Sequence, residues 1–97
     1  MAVIYYRKPC LTIFDYAKSN YNAKMDGCDL SGANLCGANL HCANLAAAKL
    51  TSADLRGADL SGANLRKADL RNAIIAGCNM NQVKLSGATM PDGHVNE

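Results

Sequence analysis

A large aliphatic residue recurs at every fifth position from Met25 to Met90, and the residue two places before each is small or short. The large column is Met25, Leu30, Leu35, Leu40, Leu45, Leu50, Leu55, Leu60, Leu65, Leu70, Ile75, Met80, Leu85 and Met90. The second column starts Ala23, Cys28, Ala33 and ends Cys78, Val83, Ala88, with alanine at every position between. Neither contains a polar residue. On an α-helix a step of five residues turns the side chain by about 140°, so the leucines scatter around the cylinder. On a flat strand side chains alternate, and an odd step sends successive leucines to opposite faces. The pattern closes only if the chain turns a corner once per five residues. The small residue and the leucine then both point inward, and the residue between them points outward. The two residues after the leucine make the corner, where Gly27, Gly32, Gly37, Gly57, Gly62, Gly77 and Gly87 stand. Glycine accepts backbone angles that other residues resist. A chain that turns one way at regular steps is a solenoid, in which each turn contacts only its neighbours.

The unit reads Ala-(Asp/Asn)-Leu-x-x, as in Ala33-Asn34-Leu35, Ala53-Asp54-Leu55 and Ala63-Asn64-Leu65. In tandem over residues 23–90 it resembles the pentapeptide repeat proteins. That resemblance implies an all-β fold: a right-handed quadrilateral parallel β-helix with four units per square coil, about 3.5 coils here, and twenty residues between stacked positions. Residues 88–93, Ala-Thr-Met-Pro-Asp-Gly, also resemble the close of many small members. The departures are mild: Ile74 for Asp or Asn, Val83 for Ala, and Met or Ile for Leu toward the ends.

The aromatic residues, four Tyr and one Phe, all precede residue 22. Residues 1–22 are therefore a segment of different kind, expected to cap the first coil, with a strand over Val3–Tyr6 and a short helix or irregular half-coil over Phe14–Tyr21. An uncovered β-helix end exposes unpaired backbone and apolar core. Residues 91–97 form a C-terminal tail. The basic residues near the start follow a short apolar run, the reverse of a signal peptide. No stretch approaches the ~20 apolar residues of a membrane span. Five cysteines, an odd number, argue against a disulfide framework and for a reducing cytoplasm. Cys28 and Cys78, both inward, lie 2.5 coils apart and beyond disulfide reach.

Outside the core, positions twenty apart are expected to stack as ladders: Asp29, Lys49 and Asp69; Asn39, Asp59 and Asn79; Lys24, Asn44, Asn64 and Lys84. No adjacent pair repeats a charge, so cross-strand pairing accounts for these side chains without catalysis. Cys36, His41 and Cys42 are the one group of metal-capable side chains, but their spacing matches no zinc pattern. No nucleophile–base–acid constellation and no phosphate-binding glycine loop is expected, so the reading is a non-enzyme without cofactor or metal. Arg56, Arg66, Lys67 and Arg71 are the densest basic run. They fall on different sides of the square, and net charge +2 without aromatic residues among the coils weighs against nucleic-acid binding. Ile74 breaks the polar outward column and marks a contact with the tail, Val95 included, or with a second subunit, unless it is an isolated exposed aliphatic.

The expected function is a non-catalytic structural or protein-interaction module, with an unidentified protein partner, as monomer or homodimer. The alternative implied by the family is mimicry of DNA toward DNA gyrase or topoisomerase. Mimics of that kind are long and acidic, whereas this chain is short and carries net charge +2.

Overall fold

The computed structural model describes residues 24–97. The expected capping segment 1–22, with its strand over Val3–Tyr6, lies outside the described residues. From Lys24 onward the five-residue period becomes a coil of four units. Every parallel pairing joins residues twenty apart: Lys24 with Asn44, Asp29 with Lys49, Asn34 with Asp54, Asn39 with Asp59, and so on to Asp69 with Thr89. Four walls result. Wall A carries Lys24, Asn44, Asn64 and Lys84; wall B carries Asp29, Lys49, Asp69 and Thr89. Wall C carries Asn34, Asp54 and Ile74, and wall D carries Asn39, Asp59 and Asn79. The ladders expected from the sequence are present in register. Each pairing is a single-residue bridge, and among the described residues none extends into a longer strand. A corner after every three residues leaves no room for one.

The backbone accounting of one unit explains its composition. The leucine amide donates to the outward residue of the next coil, as from Leu35 to the Asp54 carbonyl at 2.7 Å. The outward amide donates back, as from Asp54 to the Ala33 carbonyl at 2.9 Å. The second corner amide crosses to the next corner, as from Gly37 to Arg56 at 2.9 Å. The small residue closes the turn, as from Ala38 to Leu35 at 3.0 Å. That leaves the first corner amide, which the backbone does not satisfy. The outward Asp or Asn takes it: Oδ1 of Asp29, Asn34, Asn44, Asn64 and Asp69 each accepts, at 3.1 Å, the amide two residues on. Buried or half-buried backbone donors need partners, and this Asx turn is the local device that supplies one.

The ladders hold, and Lys49 attracts the Asp69 carboxylate across one of them. The outward Asp and Asn have a second role beyond the pairing expected of them, since their oxygens also serve their own corners. The Asp54 and Asp69 carboxylates then bind Arg56 and Arg71, two residues on in the same coil, at 2.6 and 2.7 Å. In these two units the carboxylate turned toward its own corner meets the arginine that stands there.

Every corner from Gly27 to Gly87 holds its second residue in the left-handed region, glycine or not, whereas in the last corner Gly93 and not Asp92 takes the positive φ. Gly57 has φ 71°, and Ala47, Cys42, Ser52, Lys67, Asn72 and Gln82 lie between 58° and 62°. A positive φ at the third residue of a four-residue turn is the type II pattern.

The inward columns form one core. Met25 and the leucines from Leu30 to Leu70 are at most 1% exposed, and no polar or charged residue is buried among the described residues. Burial of each such side chain contributes about 1.5–3 kcal/mol before entropy offsets most of it. In the last coil Ile75, Cys78, Met80, Val83, Leu85 and Met90 are only partly buried. The tail covers part of this end. Val95 pairs antiparallel with Thr89, the Met90 amide donates to the His94 carbonyl, and Asn96 bonds Ala88 through its amide and Leu85 through Nδ2.

Candidate functional site

What distinguishes one side of this square from another is its outward and corner residues, and two places stand out. The first is wall C. Ile74 stacks on Asp54 but offers no side-chain acceptor to the Ala76 amide, and it is 46% exposed. Val95, the other large exposed hydrophobic residue, is 51% exposed and pairs on wall B. The tail thus leaves Ile74 open. One coil earlier, the corner of wall C holds the forked Arg56–Asp54 pair, Nε to Oδ1 at 2.9 Å and the terminal nitrogen to Oδ2 at 2.6 Å. The Arg56 guanidinium holds the Asp54 carboxyl well below the usual carboxylate range. Asp54 in turn pushes the thiol of Cys36, one coil earlier at the same corner, upward. A cationic fork and an exposed aliphatic side chain on a flat wall are features of protein interfaces.

The second place is the corner that follows wall D. His41 and Cys42 occupy it in one coil, Ser61 and Gly62 in the next. His41 Nδ1 lies 2.7 Å from Ser61 Oγ, and Ser61 Oγ donates to Asp59 Oδ1 at 2.6 Å. The Asp59 carboxyl sits below its ordinary range, chiefly because of the Ser61 hydroxyl. On the other side of the ring, His41 Nε2 lies 3.3 Å from Cys42 Sγ. The hydroxyl proton is committed to the carboxylate, so the serine oxygen accepts from Nδ1–H. In the neutral ring this places the proton on Nδ1 and leaves Nε2 as an acceptor for the thiol. Gly62 makes room for the sulfur: a methyl group there would come within 2.9 Å of it.

Reading along the chain missed this line of groups. Ser61 and Asp59 are about twenty residues from His41 in sequence, so no nucleophile–base–acid constellation stands together along the chain. The signal was nevertheless present in the twenty-residue step, which puts Ser61 directly on His41.

The remaining expected residues are placed as follows. Arg56 belongs to the corner after wall C, Arg71 to that after wall B, and Arg66 and Lys67 to that after wall A. No single basic stripe forms, and Arg56 and Arg71 are engaged by Asp54 and Asp69. Cys36 stands at a different corner from His41 and Cys42, and no metal-holding group of three occurs among the described residues. Cys28, Cys36, Cys42 and Cys78 form no disulfide. No described helix is long and apolar enough to cross a membrane.

The pentapeptide repeats family matches the chain in 8 copies over residues 21–51 and 53–90. Among solved structures, HetL, a pentapeptide repeat protein involved in heterocyst differentiation regulation from the cyanobacterium Nostoc sp. strain PCC 7120, is 40% identical with a TM-score of 0.56. The match covers 79% of this chain and 34% of HetL. A second pentapeptide repeat protein of Nostoc, alr5209, is 40% identical with a TM-score of 0.70, over 73% of this chain and 60% of that one. Rfr23, from the cyanobacterium Cyanothece 51142, is 34% identical with a TM-score of 0.59, over 80% and 60%. The chain thus spans between about a third and three fifths of these proteins. No curated protein matches it.

Proposed function

The chain belongs to the pentapeptide repeat family, whose members form right-handed quadrilateral β-helices, and from that premise we propose that it is a non-catalytic module that binds a protein partner through wall C. In this reading the solenoid has about 3.5 coils and works in a reducing cytoplasm as a monomer or homodimer. The observation that carries it is Ile74. At this position most units place an Asp or Asn that caps the corner; Ile74 forgoes the cap and exposes an aliphatic side chain. A residue that gives up a hydrogen bond and leaves apolar surface in water fits a wall kept for contact. The regulatory involvement of HetL is consistent with a family member that acts by binding.

The test compares the wild-type chain with Ile74→Asp and Arg56→Glu as bait, with a wall A variant, Lys84→Glu, as control. A partner held by wild type and the control, and lost with Ile74→Asp while the fold is kept, supports the assignment. Equal recovery by all four proteins would refute it. The sizes of wild type and Ile74→Asp in solution separate a foreign partner from a second copy. DNA mimicry toward gyrase is the weaker reading, since net charge +2 does not suit a basic cleft made for DNA.

A further inference from the structure

The corner after wall D holds a line of contacts, Cys42 to His41, His41 to Ser61 and Ser61 to Asp59, which with a neutral ring protonated on Nδ1 all donate the same way. We propose that Cys42 is a thiol–disulfide exchange site for low-molecular-weight disulfides, served by His41 as the proton acceptor and with Ser61 and Asp59 as positioning residues.

Four observations support the assignment. The tautomer argument leaves Nε2 of His41 facing the sulfur with a lone pair. The far end of the line is a carboxylate, and its charge attracts the His41 ring once that ring has taken the thiol proton. The sulfur lies at an outer corner and not in the core, half-buried against Gly62. Finally, the other described cysteines are held otherwise. Cys28 is buried. Cys36 faces the Asp54 carboxylate, which disfavours its thiolate. Cys78 donates to the Leu55 carbonyl at 2.8 Å, and burial pushes its thiol up. Thiol–disulfide exchange proceeds through the thiolate and is sensitive to access. Among these four, Cys42 is the one with an imidazole nitrogen shown against its sulfur.

The step balances without further reagents. The Cys42 thiol proton passes to Nε2, and Sγ forms a bond to one sulfur of the small disulfide. The disulfide bond of the reagent breaks, and its second sulfur leaves as a thiolate that takes the proton back from Nε2. Cys42 is oxidised to a mixed disulfide and the departing sulfur is reduced to a thiol. An external thiol reverses the step and returns Cys42 to its reduced form. This site does not depend on the reading of wall C, and each can fail without the other.

The experiment exposes the folded full chain to glutathione disulfide and follows adducts by mass spectrometry, with fragmentation to separate Cys42 from Cys36. The expected rate at Cys42 exceeds that at Cys36 by about tenfold or more, because one thiol faces an imidazole that can take its proton and the other a carboxylate whose charge opposes the thiolate. His41→Phe brings the Cys42 rate down to that of Cys36, and Gly62→Ala, whose methyl displaces the sulfur, lowers it as well. Ser61→Ala slows Cys42 and Ser61→Thr, which keeps the hydroxyl, restores it. Equal rates at the two cysteines in wild type, or a Cys42 rate untouched by His41→Phe, would overturn the assignment. A Ser61→Ala protein as fast as wild type would remove Ser61 and Asp59 from it. Cys36 reports in every variant whether the corners are still folded.

Discussion

The outward Asp or Asn of a unit works on its own corner as well as in its ladder. Asn44 shows the cost of losing it: Asn44→Ala strips the acceptor from the Ala46 amide, and a loss of about 1 kcal/mol in denaturant unfolding is expected. At the second corner position the conformation itself sets the cost. Gly57 has φ 71° and open space where a side chain would go, so Gly57→Ala costs about 1–2 kcal/mol from the left-handed backbone alone. Ala47→Gly removes that strain but widens the unfolded ensemble, and a net change under about 1 kcal/mol is expected. Acid sensitivity also belongs to single residues. Asp54, Asp59 and Asp69 are held below their ordinary range by Arg56, Ser61 and Arg71. Their folded values lie below the unfolded ones, so their contribution is present above about pH 4 and is lost as pH falls through the folded values. Calorimetry from pH 7 to 2 should show the melting temperature falling below about pH 4. Asp54→Asn with Asp69→Asn keeps both caps and should flatten that fall. At this scale the sequence was half legible. The inward columns announced themselves because only apolar residues survive there. The Asx caps did not, because a side chain that bonds its own backbone has the same spacing as one that bonds the next coil.

A single coil cannot bury its own leucines, and the gradient of burial along the stack follows from that. Leu55 has coils on both sides and is fully buried, whereas Leu85 is covered in part by Asn96 and its neighbours. Leu55→Ala should therefore cost about 2–5 kcal/mol, and Leu85→Ala distinctly less, when both are compared by chemical denaturation. The tail acts as a partial lid for the last coil. Its hydrogen bonds occupy the Met90 amide and the Ala88 carbonyl. Removal of residues 93–97 leaves both open and uncovers apolar side chains, so a lower melting temperature and concentration-dependent association are expected by calorimetry and light scattering. Residues 91–97 could be placed only as a tail from sequence, because they fall outside the period that assigns every position before them. Pro91 fits its corner for a reason visible afterwards: Thr89 has no carboxylate or amide to cap the first corner position, and proline has no amide there to be capped.

At the scale of the whole molecule, the fold was legible because one five-residue rule, repeated without interruption, admits one architecture. The surface was less so, because its chemistry depends on contacts between coils. His41 and Ser61 meet only because the coil closes after twenty residues. The fold and the surface therefore keep different clocks. Excision of residues 46–50 removes one whole unit and leaves every inward and outward assignment intact, so the shortened chain should still fold. Above that cut, however, every wall shifts by a quarter turn relative to the coil below. His41 would then stack beneath Arg66 and Cys42 beneath Lys67, and the line to Asp59 would be gone. Excision of a full twenty residues restores the walls but changes which copies meet. A protein built this way can change length freely in fives and keep its shape, while the surface it shows a partner returns to alignment only in twenties.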